Sequence, residues 1–76
     1  MSFQAYLENI QAKTGRTPAD FRTYAADQGW ADADGLRAGV KAGTIVADLK
    51  SQFGLGHGHA MAIVALLKGA KREGDA

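Results

Sequence analysis

The stretch Gly54-Leu55-Gly56-His57-Gly58-His59-Ala60 decides how the rest of this chain is organised. Its seven residues hold three of the ten glycines and both histidines of a 76-residue sequence. On either side of it, apolar residues recur at intervals of three and four, which is typical of amphipathic helices. The stretch is therefore predicted to be a tight turn between two helices.

The two helices that flank this turn are defined by their apolar faces. The third helix of the chain is predicted to begin between residues 41 and 44 and to end at Phe53, where Gly54 stops it. The fourth is predicted to begin within residues 56–59 and to continue to about Lys68. Their inner faces consist of Ile45, Val46, Leu49 and Phe53 on one helix and Ala60, Ile63, Val64 and Leu67 on the other.

The first half of the chain predicts two further helices, each with a start and a stop signal. The first covers about residues 3–14, with Ser2 as its N-cap and Gly15 as its stop. The second covers about residues 18–28, with Thr17 as its cap and proline at the first helical position. Only a few residues separate these helices, so we expect them to form an angled or antiparallel pair.

Residues 31–40 show neither the spacing of a long helix nor the alternation of a strand. They are predicted to be an irregular connector, with or without one short helical turn around Leu36. Asp32 and Asp34 resemble the start of a calcium loop, but no glutamate follows before Glu73 to supply the bidentate ligand. A calcium loop is therefore excluded.

The chain is predicted to be all-α, as a compact bundle of four helices, or four and a fifth short turn, arranged as two helix-turn-helix hairpins. A length of 76 residues favours one domain, over residues 1–70. The polar, glycine-punctuated tail of residues 71–76 is expected to fray. The sequence contains no cysteine, which excludes disulfides, thiolate zinc sites and cysteine nucleophiles.

Composition and charge restrict the surroundings in which the chain acts. No apolar run approaches the roughly 18 residues that a membrane-spanning helix needs, and the first residues do not resemble a signal peptide. We expect a cytoplasmic location and no membrane partner. The net charge of +1 is unevenly distributed, since residues 1–35 carry three basic and five acidic residues and residues 36–76 carry six and three. The basic half contains the glycine-histidine stretch.

Glycine spacing in the turn points to an anion site. Gly54-Leu55-Gly56 is followed by three residues, Ala60, two residues and Ile63, with an aliphatic residue at Leu49 upstream. This register resembles helix-hairpin-helix motifs, whose second helix offers free N–H groups to phosphate oxygens. Proteins with such motifs hold the nucleic-acid backbone without reading its sequence.

Three residue types depart from that motif. Phe53 stands where proline is common, His57 and His59 replace polar or basic residues, and Gly58 weakens the first helical turn by about 1 kcal/mol relative to alanine.

The leading hypothesis is a non-enzymatic binding module whose turn presents backbone amides to nucleic-acid phosphate. The predicted binding residues are Gly54, Gly56, His57, Gly58 and His59, with Lys50, Lys68, Lys71 and Arg72 supplying supporting charge.

Two other functions stay open beside this one. A protein-interaction or homodimerisation module would use an exposed part of the fourth helix. The second open function is weak metal binding by the Gly-His-Gly-His turn. Against it, histidines two residues apart diverge on a helix, and the sequence contains no further histidine or cysteine. We expect no cofactor, no resident metal and no enzymatic activity, because no nucleophile is placed beside a base. The six aromatic residues are expected to pack in the core, with Trp30 the most exposed.

Two longer strings carry a resemblance that spans nearly the whole chain. They are residues 6–21, YLENIQAKTGRTPADF, and residues 54–63, GLGHGHAMAI. Both resemble a small bacterial family of unknown function, the domain-of-unknown-function family 4287. The resemblance implies a stand-alone small protein or an N-terminal module of a longer one, which is more typical of binding modules than of enzymes. It implies no specific function.

Overall fold

Four helices and a short antiparallel ribbon make up the fold. The computed structural model describes residues 2–32 and 35–75. In chain order the elements are α1 (Phe3–Thr14), α2 (Pro18–Gln28), β1 (Ala31–Asp32), β2 (Gly35–Leu36), α3 (Ala42–Phe53) and α4 (His57–Lys68). Helices α1, α2 and α3 all pack against α4. The prediction of a small, mainly helical bundle of four helices is confirmed.

The helix ends lie where the capping residues predict them. The Ser2 hydroxyl accepts a hydrogen bond from the Ala5 N–H at 3.1 Å and starts α1. Thr17 and Asp20 form a capping box at the start of α2, in which each side chain accepts from the other residue's backbone N–H. The bond from the Thr17 N–H to the Asp20 carboxylate is the largest cause of a lowered pKa of Asp20, and the Thr17 hydroxyl adds to it. Left-handed glycines end the described helices, namely Gly15, Gly29, Gly54 and Gly69.

The connector after α2 differs from its prediction. Ala31 pairs with Leu36 and Asp32 with Gly35, so a β-ribbon stands where a helical turn around Leu36 was the alternative. Gly35 gives the physical reason: it has φ +120°, and a Cβ there would lie 3.3 Å from the Lys68 carbonyl oxygen. The connector therefore runs extended against the end of α4. Asp34, considered above as a calcium ligand, lies outside the described residues.

Helix α4 is the centre of the core, because the other three helices pack against it. Six of its twelve residues are buried. They are Ala60, Ala62, Ile63, Val64, Leu66 and Leu67, which include every predicted inner position of this helix. On α3, Ile45, Val46 and Leu49 are buried, and Phe53 packs against the core from its edge. None of the helices within residues 2–32 and 35–75 has the length and apolar character needed to cross a bilayer.

The segment after α4 makes specific contacts with the first two helices. Arg22 of α2 forms a two-point ion pair with Glu73, with N···O distances of 2.6 and 2.8 Å. The Gly74 N–H donates to the Gln4 side chain at 2.8 Å, and the Gln4 N–H donates to the Asp75 carbonyl at 3.1 Å. The part of the tail that is described, up to Asp75, thus crosses back to α1 and α2.

Candidate functional site

The connection between α3 and α4 is a three-residue turn built on one apolar side chain. Gly54 adopts the left-handed conformation at φ +67°, and its N–H donates to the Lys50 carbonyl at 3.1 Å. Leu55 is only 3% exposed and belongs to the core cluster. Gly56 returns to extended backbone and is the N-cap of α4. Leu55 therefore anchors the turn, and the two glycines change the chain direction around it.

Helix α4 begins without a side chain over its first amides. Its N-cap, Gly56, makes no side-chain capping bond, and its first turn carries no acidic residue. The Ala60 N–H donates to the Gly56 carbonyl at 2.9 Å, so the N–H groups of the three residues between them precede the first helical bond. Gly56, His57 and Gly58 are exposed. This helix end combines open amides with the positive end of the helix dipole.

The two histidines of this turn occupy different environments. His57 is exposed, whereas His59 is partly buried with its ring edge-on to Tyr6, at a centroid distance of 5.4 Å and an interplanar angle of 78°. The His59 Nε2 atom is buried and has no hydrogen-bond partner among the described residues. Within those residues, no three His, Cys, Asp or Glu side chains gather to hold a metal ion. The imidazoles thus separate, as the helical spacing of the pair predicts.

The predicted basic residues lie at two opposite ends of α4. Lys50 is in the last turn of α3, next to the α3–α4 turn. Lys68 ends α4, and Lys71 and Arg72 follow it. A helix of 12 residues is about 18 Å long, so these three lie roughly that far from the amides of α4. The structure brings only Lys50 to the turn.

One basic residue at the turn was not found from the sequence. The Arg16 guanidinium carbon lies 5.8 Å from the ring centroid of Phe53, the residue that precedes Gly54. Arg16 belongs to the α1–α2 connection, far away in the sequence. No local pattern could have identified it, because only the packing of α2 against α3 brings it here.

Aromatic residues near the turn pack on one another. Phe53 meets Phe21 and Tyr24 edge-on at centroid distances of 5.3 and 5.1 Å, and Tyr24 meets Trp30 at 5.7 Å. The Tyr24 hydroxyl donates to the Asp48 carboxylate at 2.7 Å, which raises the pKa of Tyr24 to about 12. The edge-on contacts are those of core packing. The hydrogen bond from the Tyr24 hydroxyl engages Asp48, an acidic residue of α3.

The surface of α4 that the protein-interaction alternative would use is small. Met61 is 40% exposed, and it is the large apolar side chain that the described residues leave most open to solvent. The other large apolar residues of the helix are buried against its three neighbours. Among the described residues, α4 therefore presents Met61 rather than a broad apolar face to solvent.

Comparison with known proteins identifies a family. The family model described as "Domain of unknown function (DUF4287)" matches residues 2–69. No curated protein and no solved structure matches the chain significantly. The matched segment covers all four helices and the turn between α3 and α4.

Proposed function

The chain belongs to the DUF4287 family, whose description assigns no function, and we propose that its α3–α4 turn binds the phosphate backbone of nucleic acid without reading base sequence. The binding group is the set of open N–H groups at the start of α4. Phosphate oxygens accept from such amides, and the helix dipole favours their negative charge.

The observation that carries this proposal is the uncapped start of α4 directly after a glycine turn. Most helix starts use a Ser, Thr, Asp or Asn side chain to accept from the first amides. Here Gly56 supplies none, and the first turn contains no acidic residue. A phosphate oxygen would fill the place of the missing cap. A Cβ at Gly56 or Gly58 would meet nothing within 4 Å, so the approach to these amides is open.

Charge around the turn supports the same ligand. Lys50 lies one helical turn before Gly54, and Arg16 lies over Phe53. His57 is exposed at the first position of α4. The acidic side chain of Asp48 accepts a hydrogen bond from Tyr24. The positive charges of Lys50 and Arg16, together with the open amides, suit a phosphodiester. Binding of this kind gains its affinity from neutralised phosphates rather than from base contacts.

The experiment places a competing carboxylate over the amides. In Gly56→Asp the new side chain caps α4 itself and repels phosphate, and the backbone there (φ −72°, ψ 168°) accepts any residue. We expect affinity for a short labelled DNA duplex, measured by fluorescence anisotropy at low salt, to fall about tenfold or more. Affinity of the unaltered chain should also fall steeply as salt rises.

Gly43→Asp is the matched control. Gly43 lies in the first turn of α3, which also starts without a side-chain cap, and a Cβ there meets nothing within 4 Å. Both variants lower the net charge from +1 to zero. The control should bind DNA within about twofold of the unaltered chain. Equal losses in both variants, or no binding at low salt, would refute the proposal.

A further inference from the structure

A second candidate site lies at the other end of α4, about one helix length from the turn. It is a cleft of about 530 Å³ between α2, the β-ribbon, the end of α4 and the segment that follows. Small-molecule sites in proteins have volumes of about 300–1,000 Å³. The cleft is therefore large enough for a small organic ligand.

The floor of this cleft is apolar. Leu66 and Leu67 line it from α4, Ala26 from α2 and Ala31 from β1. Small side chains on two of these elements leave room that larger residues would fill. Leu66 and Leu67 are only 3% and 6% exposed, so an apolar chain placed here would cover chiefly the more open surface of Ala26 and Ala31.

The rim of the cleft is positively charged. Arg22, Lys71 and Arg72 line it, and Asp32 supplies the one carboxylate among the lining residues that the structure describes. The Arg22 guanidinium is already engaged with Glu73 by two hydrogen bonds. Arg72 differs, because its backbone N–H donates to Asp75 while its guanidinium makes no hydrogen bond or ion pair with the described residues. Arg72 therefore has its five donors available for a planar anion.

The contacts of the tail keep this cation at the rim. Glu73, the neighbour of Arg72, is held by Arg22, and Gly74 is held by the Gln4 side chain. On the opposite wall, Gly35 passes so close to α4 that a Cβ would meet the Lys68 carbonyl oxygen at 3.3 Å. Both walls are thus fixed by specific contacts, and a ligand would enter a site that is already formed.

We propose that this cleft binds a small organic anion made of a carboxylate on a short apolar chain. The carboxylate pairs with the Arg72 guanidinium, which matches its geometry at two points. The apolar chain lies against Ala26 and Ala31, above the largely buried Leu66 and Leu67. This site is separate from the amides of the α3–α4 turn, so it stands or falls independently of nucleic-acid binding.

The test is a titration of the isotope-labelled full chain with octanoate, followed by amide chemical shifts. We expect saturable shifts centred on Leu66, Leu67 and Gly69. Octanol, which has the same chain without the charge, should bind about tenfold more weakly or worse. Shifts that do not saturate, or equal affinity for octanol, would overturn the proposal.

Two variants and a control locate the site. Arg72→Gln should weaken octanoate binding about tenfold, because it keeps a polar side chain but removes the charge and the two-point donor of the guanidinium. Ala26→Leu should also abolish most binding by filling the floor, and since Ala26 is exposed on α2 the fold should tolerate it. Arg37→Gln, an exposed position outside the cleft, should bind octanoate within about twofold of the unaltered chain. An equal loss in Arg37→Gln, or no loss in Arg72→Gln, would contradict the assignment.

Discussion

The two ends of α4, where the two proposed sites lie, are built in different ways. At its start, consecutive residues from Gly54 to His59 form a turn with open amides and the positive end of the helix dipole. At its finish, the cleft is assembled from α2, the β-ribbon and a returning tail, and its positive charge comes from side chains. The geometry of the first end is thus encoded by adjacent residues, whereas the cleft at the second end exists only after packing.

The largest expected effect comes from removing the anchor of the local site. Leu55 is 3% exposed, so Leu55→Ala should lower the free energy of unfolding by about 2.7–5 kcal/mol through lost burial and an unfilled cavity. A domain of this size has a total stability of about 4–11 kcal/mol. The variant should therefore be close to unfolding, which chemical denaturation followed by circular dichroism would measure.

Met61→Ala is the control for that experiment. Met61 lies on the same helix but is 40% exposed, so its loss should change the unfolding free energy by less than about 1 kcal/mol. If Leu55→Ala were as stable as Met61→Ala, Leu55 would not anchor the turn. The α3–α4 turn would then be a surface loop rather than a part of the core.

The difference between the two ends also explains what the sequence could predict. Gly54, Leu55 and Gly56 are adjacent, and their spacing indicates a turn between helices whose apolar faces are readable nearby. Helix starts such as Thr17–Asp20 are local for the same reason, since a capping side chain reaches only three residues along the chain. These features were predicted correctly because their causes lie within one or two helical turns.

The features that were missed depend on contacts between distant residues. Arg16 reaches Phe53 across 37 positions, and Arg22 reaches Glu73 across 51. The strands at Ala31–Asp32 and Gly35–Leu36 are too short to alternate, and the approach of Gly35 to Lys68 becomes visible only in three dimensions. Lys71 and Arg72 were grouped with the turn by charge alone, whereas they line the cleft.

The smallest expected effect concerns the ion pair that holds the tail at the cleft. The Arg22 guanidinium lowers the pKa of Glu73 below its ordinary value of 4.5. A lowered folded-state pKa means that the pair stabilises the fold fully above about pH 4.5 and loses this contribution as the pH falls below that value. Both side chains are nearly half exposed, at 44% and 45%, so the stabilisation should be only about 0.5 kcal/mol.

Titration of the Glu73 carboxyl carbon by NMR measures this effect directly. The Gly74 amide signal should shift over the same pH range, because its hydrogen bond to Gln4 depends on the position of the tail. Arg22→Gln should return the pKa of Glu73 towards 4.5. A pKa that stays low in that variant would show that Arg22 is not its cause.

The proposed nucleic-acid site lies at the start of α4 and not at its end. A map of amide chemical shifts during titration with a short DNA duplex at low salt distinguishes the two ends. We expect the largest shifts at Gly56, His57, Gly58 and His59, and we expect them to disappear as salt is added. Largest shifts between Gly69 and Arg72, or no shifts at all, would contradict it.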